Sequence, residues 1–438
     1  MTATEVRSEP ATARLEEASL AESLKFVATG LLPSLARGLF RPRRGAMKRL
    51  TALRTDERAI HALSAIREKH GGDGVRLLGG KMAVLWGAPA IREVLDNSAS
   101  VYASDGGAKR KGMDHFQPDA LTISRGEEWR DRRAFNESVL AYSDRVHPLA
   151  ERFLDVVRDE VERLRIGPEL EWKAFEGLWD HITLRVIFGD HARGDQELTD
   201  LLAKLMNQGQ RIVGAGEPGD DFYEMYGKIE RYLADPQEGS LVSLVAQAPQ
   251  TDRTRVAHQV PHWMFAMRDT LGANAYRALA VIAADPALYE RVSSELPDGG
   301  EVLEGVLHEA MRLWPTTPLL ARETTRDVSI GGTKLDEGTQ IFMLNVFNHR
   351  RPEGIDDADR VVPERWTGDH PTEYRFNHLS NGTQDCPGGP LVLLLGKAVL
   401  ARMLSEWSFK LVEPSLPAGG DQPTMLDFFA IRFEVEPR

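Results

Sequence analysis

His378-Leu-Ser-Asn-Gly-Thr-Gln-Asp-Cys-Pro-Gly-Gly389 contains the single cysteine of this 438-residue chain. The pattern of this segment is the main sequence evidence for the fold. Gly382 and Gly388 allow the backbone to turn sharply and to direct amide N–H groups at the sulfur of Cys386. The apolar residues that follow predict a helix over 386–407, whose positive start favours thiolate over thiol. A lone cysteine excludes an internal disulfide and a zinc site built on several cysteines. The alternative is a small buried hydrophobe.

The composition narrows the class of protein. A net charge of -12 argues against a nucleic-acid-binding protein, which needs a dominant basic surface. The apolar stretch 26–40 includes Pro33 and Arg37 and is too short and polar for membrane insertion. Residues 1–20 are predicted to be disordered and lack the features of a signal peptide, so we expect a cytoplasmic protein. Residues 21–438 show no linker and are predicted to form a single domain.

The periodicity predicts a mainly α fold with a small β region. Residues 74–88 form a predicted strand pair and 89–95 a short helix, followed by a long loop over 99–120. Helices dominate 127–314, with amphipathic helices at 196–213 and 221–233 separated by a glycine-rich break that starts at Gly214. The longest helix covers 253–284 and ends before Pro286. Residues 324–345 alternate as short strands, and no internal repeat is present.

A Glu-x-x-Arg pair gains meaning only from what surrounds it. The pattern occurs at Glu127, Glu160, Glu162, Glu309 and Glu323. Only Glu309-Ala-Met-Arg312 is followed by Leu-Trp-Pro and later by Pro-Glu-Arg365. Residues three apart share a helix face, so Glu309, Arg312 and Arg365 could form one ion-pair network. The alternative is an ordinary surface pair.

Two further patterns lie on predicted helices. In Ala266-Met-Arg-Asp269-Thr270, a mid-helix threonine can bond back to a carbonyl and bend the helix. The alternative is a polar helix face. In Trp129-Arg-Asp-Arg-Arg133, the first and last residues share a face, and the alternative is a solvated face.

The cysteine segment resembles the heme-binding loop of the cytochrome P450 superfamily, Phe-x-x-Gly-x-Arg-x-Cys-x-Gly. Cys386, Gly382 and Gly388 match it, whereas Leu379 replaces the phenylalanine and Gln384 the arginine. The order Arg312, Arg365, Cys386 also matches. The resemblance covers about residues 74–438 and implies the cytochrome P450 fold, with heme b as cofactor and the Cys386 thiolate as the ligand of its iron.

The resemblance also implies roles for the other motifs. Glu309, Arg312 and Arg365 would form a structural network beneath the loop. Asp269 and Thr270 would be the catalytic pair that guides protons, with Ala266 beside the heme. Met267 departs from the family's glycine, and Arg268 could pin Asp269 in an ion pair. The heme propionates would be bound by side chains of the Trp-x-x-x-Arg motif, a strand arginine and, weakly, a glutamine: Trp129, Arg133, Arg322 and Gln384.

The implied activity is that of a monooxygenase, which activates O2 and inserts one oxygen atom into an apolar small molecule. Segments such as Leu-Trp-Pro-Thr-Thr-Pro resemble those of bacterial members, often actinobacterial ones of secondary metabolism.

A ferredoxin-type or flavodoxin-type protein would donate electrons, docking on basic residues: Lys109, Arg110, Lys111, Arg130, Arg132 and Lys397. The substrate pocket would use loop 99–120 and Phe265, Leu319, Leu320, Phe428 and Phe429. A peroxide-using or rearranging enzyme, and a non-catalytic heme sensor or carrier, are the alternatives. Hydroxylation, epoxidation and coupling all stay open.

Overall fold

A computed structural model describes residues 12–38, 40–210, 219–296, 300–367 and 374–438. Residues 1–11 of the segment predicted to be disordered lie outside the described residues. The same is true of most of the predicted glycine-rich break that starts at Gly214. Within the described part, Glu16–Glu17 forms strand β1, which pairs in parallel with Val75 and Arg76. Ser19 then caps the first helix through a capping box with Glu22. Residues 12–20 therefore belong to the fold, contrary to the prediction.

Helices make up most of the described chain, which confirms the predicted fold class. They are α1 Leu20–Phe26, α2 Leu32–Arg37, α3 Arg44–Ala52, α4 Thr55–His70, α5 Ala88–Asp96, α6 Gly107–Met113, α7 Gly126–Val139, α8 Ala150–Arg163, α9 Trp172–Phe188, α10 Gln196–Gly209, α11 Asp220–Ala234, α12 Val260–Phe265, α13 Gly272–Ala284, α14 Pro286–Glu295, α15 Glu301–Leu313, α16 Asn345–Asn348 and α17 Gly389–Glu406. Among these helices none has the length and apolar character needed to cross a membrane.

The β region is small, as predicted. The other strands are β2 Gly74–Leu77, β3 Met82–Leu85, β4 Tyr102–Ala103, β5 Glu169–Glu171, β6 Leu319–Thr324, β7 Val328–Ile330, β8 Thr333–Leu335, β9 Gln340–Leu344, β10 Trp407–Glu413 and β11 Arg432–Pro437. The largest sheet has the order β1-β2-β3-β9-β6-β4. The predicted strand pair in 74–88 is antiparallel β2–β3.

Residues 99–120 differ from the predicted loop. Tyr102 and Ala103 form β4, which pairs with Thr324 and Glu323 of β6, and α6 follows immediately. A two-residue strand and a glycine-flanked helix of seven residues leave no periodic signal in the sequence. The pairing fixes this segment against the sheet, and the segment therefore holds its side chains in defined places.

The longest predicted helix is divided by a wider turn. It begins at Val260 rather than 253, and its α-helical parts α12 and α13 flank a π-helical segment, Ala266–Leu271. Pro286 ends it as predicted and starts α14, capped by Asp285. Segments of π-helix inside α-helices occur frequently at functional sites. The widened turn contains Asp269 and Thr270.

Candidate functional site

Cys386 lies between a short 3-10 turn, Gly382–Gln384, and the first residue of α17. Its amide donates to the carbonyl of Leu379 at 2.9 Å, and its sulfur accepts a hydrogen bond from the amide of Gly388. Burial raises the pKa of the Cys386 thiol, and the Gly388 amide offsets only part of that effect. The protein alone therefore holds the thiol form, and a bound metal ion is what would deprotonate it.

Gly382 supplies the sharp turn of this loop. Its φ is +67°, and a Cβ atom there would lie 2.5 Å from the backbone carbonyl of Leu95. Gly388 has an ordinary φ of -97°, and a Cβ atom on it would meet only Leu140 at 3.6 Å. Of the two glycines in the motif, only Gly382 is thus required by backbone conformation. The hydroxyl of Thr383 then fastens the loop to the carbonyl of Ser98 at 3.0 Å.

Arg133 is committed to protein carboxylates. Its guanidinium contacts Asp385 Oδ1 at 2.7 Å and the Asp385 carbonyl at 2.6 Å, and its Nε contacts Glu137 at 2.6 Å. Tyr142 donates to the other oxygen of Asp385. Arg133 therefore lies beside the cysteine loop as expected. Its guanidinium binds Asp385 and Glu137 there, whereas we expected it to bind a heme propionate. Trp129 lies half-buried one turn earlier on α7.

Arg322, in contrast, has no carboxylate partner among the described residues. It is buried on β6, where it donates to Ser98 Oγ at 2.8 Å and to the Ala321 carbonyl at 2.9 Å. Burial lowers its pKa to about 10. A buried cation is costly without a counter-charge, so this position suits an anion such as a heme propionate. The Oε1 atom of Gln384, in the adjoining loop, is also buried without a hydrogen-bond partner.

Glu309 and Arg312 form a fully buried pair at the centre of a network. Two guanidinium nitrogens of Arg312 lie 2.7 Å from the two carboxylate oxygens of Glu309. Arg365 Nε lies 3.5 Å from Glu309, so the structure brings together the three residues that the sequence linked. Sequence reasoning missed Trp366, whose indole N–H donates to Glu309 at 2.8 Å. It also missed the half-buried pair of His308 and His378, whose ring nitrogens are 3.0 Å apart.

One face of the long helix remains accessible although the rest of the helix is buried. The part-exposed side chains are spaced three to four residues apart and comprise His262, Phe265, Ala266 and Thr270. Met267 is only 3 % exposed and belongs to the main core, so it does not narrow this face. The Thr270 hydroxyl has no hydrogen-bond partner in the described part of the chain. The π-helical turn at Ala266–Leu271 therefore forms without the predicted threonine hydrogen bond back to the backbone.

Asp269 is held from a different direction than expected. Arg268 binds Asp180 through its Nε, and its Nη1 is 3.9 Å from Asp269. The close partner of Asp269 is Arg41, with Nε 2.9 Å from Oδ1, and Arg41 also binds Glu176 at 2.8 Å. Oδ2 of Asp269 is buried and lacks a hydrogen-bond partner. Arg268 therefore makes a longer ion pair with Asp269, as the sequence suggested, and Arg41 makes the close contact.

The structure separates the residues expected to line a substrate pocket. Leu319 packs with the cluster on one face of the sheet and Leu320 with the cluster on the other, because neighbouring strand residues point to opposite sides. Phe428 is 2 % exposed, and its ring centroid lies 4.5 Å from that of Trp172, so it is core. Phe429 is half-buried beside it. Phe265 is the residue of this set on the accessible helix face.

Most of the basic residues expected to dock a redox protein have partners inside this chain. Arg110 binds Asp105 at 2.7 Å, Lys397 binds Glu304 at 2.6 Å, and buried Arg132 binds Asp119 at 2.8 Å. Lys109 donates to the carbonyl of Thr122 at 2.8 Å. Exposed basic residues of the set are Lys111 and Arg130.

Comparisons with known proteins agree with this arrangement. The family model "Cytochrome P450" matches residues 245–420, which include Glu309, Arg365 and Cys386. The cyclooctat-9-en-7-ol 5-monooxygenase of Streptomyces melanosporofaciens is 27% identical over 41% of this chain and 44% of its own length. Cytochrome P450 4V2 of Rattus norvegicus is 27% identical over 35% of this chain and 32% of its own length. Putative cytochrome P450 137 of Mycobacterium tuberculosis is 25% identical over 59% and 53%, respectively.

The chain thus spans less than two thirds of the length of each of these relatives. The part of the chain that matches the family model contains the Glu309–Arg312 pair, Arg365 and the loop of Cys386. The family match over residues 245–420, these relatives and the mainly helical fold together support the cytochrome P450 superfamily for this chain.

Proposed function

We propose that this protein is a heme-thiolate monooxygenase that inserts one atom of O2 into a small organic molecule. The observation that carries the proposal is the setting of Cys386: a lone cysteine held by the Gly382 turn, with the Gly388 amide on its sulfur. The buried Glu309–Arg312 pair adds support, because Arg312 lies over the ring of Phe376, just before the segment that contains Cys386. Hydrogen bonds to a ligating sulfur and the surrounding apolar core are the features by which a protein tunes such a ligand.

The residues present fit a heme, of the b type by resemblance. Cys386 would ligate the iron, and Arg322 would bind a propionate, since it is a buried cation without a carboxylate partner among the described residues. Gln384 and Trp129 would assist Arg322 in binding the propionates. When bound, the heme supplies the activation of O2, and the thiolate favours cleavage of the O–O bond. Ala266 would lie against it on the accessible face of the long helix.

Asp269 and Thr270 are proposed to handle protons at this site. The Thr270 side chain is part-exposed on the accessible face, and its hydroxyl is free to accept and donate a hydrogen bond. Asp269 is buried one residue earlier, with one oxygen on Arg41 and the other without a hydrogen-bond partner, 3.9 Å from Arg268 Nη1. A positioned acid next to a hydroxyl is an arrangement suited to general acid catalysis.

We further propose a ferredoxin-type or flavodoxin-type electron donor and a location in the cytoplasm. Both rest on the resemblance and the sequence. Lys111 and Arg130 are the exposed basic residues that would contact such a donor. An origin in bacterial secondary metabolism is supported by the Streptomyces relative, a monooxygenase of cyclooctat-9-en-7-ol.

The proposal is tested by the spectrum of the reduced protein with carbon monoxide, recorded for the wild type and for Cys386→Ala at equal heme content. We expect the red-shifted thiolate band in the wild type and its complete loss in the variant. A thiolate band that persists in Cys386→Ala would refute the proposal, because the chain has one cysteine. A wild type that binds heme without this band would favour a heme sensor or carrier.

A further inference from the structure

The segment after β4 carries Lys109 to the start of the long helix. Lys109 Nζ donates to the carbonyl of Thr122 at 2.8 Å. The next residue back, Leu121, donates its amide to the side chain of Gln259 at 3.1 Å. Gln259 directly precedes α12, in which His262 is the third residue. These hydrogen bonds fix α6 and the 121–122 turn against the N-terminal end of the accessible helix face.

Positive charge exceeds negative charge in this region. The charges of Arg322 and Lys109 repel one another, and Lys109 in turn acts on His262. The carboxylate that acts on Lys109 is that of Asp105, whose oxygens are already bound by Arg110 at 2.7 Å and Arg125 at 2.6 Å. Buried cations that lack a counter-charge are unfavourable and are normally paired. The positive charges around Lys109 are therefore not balanced by carboxylates of the protein, and a bound anion would balance them.

Titration of the two groups agrees with that imbalance. Burial, followed by the charge of Arg322, lowers the pKa of Lys109 to about 7. Burial, followed by the charge of Lys109, lowers the pKa of His262 to about 4. Both side chains nevertheless keep some accessible surface. Both side chains are thus partly exposed although the protein around them is a poor environment for charge.

Both groups also have unused hydrogen-bonding capacity. The ammonium group of Lys109 has three donors, of which one is used on Thr122. Nδ1 of His262 is buried and has no hydrogen-bond partner in the described structure. Buried polar atoms without partners are uncommon in folded proteins and call for an explanation, of which a bound polar group is one. An anion with two or more acceptor oxygens would satisfy both.

Apolar residues separate this pair from Thr270. His262 and Thr270 are eight residues apart, which corresponds to about 12 Å along a helix. Between them on the accessible face lie Phe265 and Ala266. The rings of His262 and Phe265 are 4.7 Å apart, and Phe116 flanks Phe265 at 6.2 Å. The face is thus polar and cationic at one end and apolar towards the proposed reaction centre.

We infer that the substrate is amphipathic, with a carboxylate that binds Lys109 and His262 and an apolar body that extends along Phe265 towards Thr270. This inference rests on the proposed function and changes the expectation of a wholly apolar substrate. Oxidation would take place remote from the carboxylate. Arg322, which is joined to the cysteine loop through Ser98 and Thr383, is left to a heme propionate.

The test is the binding of straight-chain carboxylates from octanoate to hexadecanoate, each compared with its uncharged methyl ester. Dissociation constants are measured on the heme-loaded protein by the spectral shift of the heme and, independently, by calorimetry. In the wild type we expect at least one acid to bind about tenfold or more tightly than its ester, the smallest gain expected from a charge-assisted hydrogen bond. The Lys109→Met variant should lose this preference, and His262→Phe should reduce it.

Lys111→Met is the matched control, because Lys111 is exposed on the same helix. It should keep the preference. If no acid of the series binds more tightly than its ester, the inference is overturned. It is also overturned if Lys109→Met releases heme but keeps the preference, since Lys109 would then serve a propionate. A carboxylate preference seen by calorimetry without a thiolate spectrum would refute the proposed function and leave this inference standing.

Discussion

Arg41 and Asp269 are 228 residues apart in the chain, yet Nε of the arginine lies 2.9 Å from Oδ1 of the aspartate. The same guanidinium binds Glu176 of α9 at 2.8 Å. The preceding residue, Phe40, packs edge-on against Phe116 with ring centroids 5.4 Å apart. The connection between α2 and α3 therefore reaches into the core at the π-helical turn and holds the acid next to Thr270.

Replacing Arg41 tests whether this contact holds the acid in place. In Arg41→Gln the buried Asp269 loses its close cationic partner, while Arg268 stays 3.9 Å away. We expect the free energy of unfolding in urea to fall by about 1–3 kcal/mol, the cost of an unsatisfied buried acceptor. Arg43→Gln is the control, because the Arg43 side chain is exposed and its guanidinium donates to the carbonyl of Ala36. Equal stabilities for the two variants would contradict this role of Arg41.

The sequence predicted the parts of the site that lie within short segments. The loop of Cys386, the Glu309–Arg312 pair and the end of the long helix at Pro286 follow from residue types at fixed local spacing. The Arg41–Asp269 contact could not be predicted, because nothing local distinguishes Arg41 among the many basic residues of its segment. The half-buried position of Lys109 could not be predicted either, since the short strand β4 and the helix α6 leave no periodic pattern.

Gly382 and Gly388 should respond differently to the same substitution. In Gly382→Ala the side chain must adopt a φ of +67°, and its Cβ would lie 2.5 Å from the backbone of Leu95. The left-handed conformation alone costs about 1–2 kcal/mol. We expect this loss or more in the free energy of unfolding, together with weaker heme binding. Gly388→Ala keeps its amide and has room, so we expect a change within about 0.5 kcal/mol. Similar losses in both variants would disprove this assignment of the turn.

Arg322 should contribute more to heme retention than the other candidate donors. Arg322→Ala removes a buried cation that has no carboxylate partner among the described residues, and a charge-assisted hydrogen bond is worth about 1.5–3 kcal/mol. Arg133→Ala should weaken retention less, because its guanidinium is bound to Asp385 and Glu137. Gln384→Ala should have the smallest effect. The measurement is the rate of heme transfer to excess apomyoglobin, and fastest release from Gln384→Ala would reverse this order.

The affinity for a carboxylate should depend on pH through Lys109. Its pKa of about 7 in the free protein reflects burial and Arg322, against the charge of Asp105, and a bound anion would raise it. Affinity is then greatest below pH 7 and falls by up to about tenfold per pH unit above it, until the pKa of the complex is reached. His262, with a pKa of about 4, stays neutral in this range. Calorimetry in two buffers should show proton uptake near pH 8, and an affinity independent of pH between 6 and 9 would contradict the role of Lys109.

Thr270 decides between a monooxygenase and a peroxide-using enzyme. A monooxygenase consumes two protons and two electrons for each O2 that it splits, so it needs an ordered route for protons. A positioned acid or hydroxyl contributes about 10²–10⁴-fold to such a step. A peroxide-using enzyme receives oxygen that is already reduced and depends less on the hydroxyl.

We expect Thr270→Ala to keep heme and ligand binding but to divert electrons to hydrogen peroxide, whereas Thr270→Ser should restore coupling. The measurement is product formed per electron consumed with a surrogate redox pair. Unchanged coupling in Thr270→Ala, with faster turnover on peroxide than on the redox pair, would replace the monooxygenase assignment by the peroxide-using one.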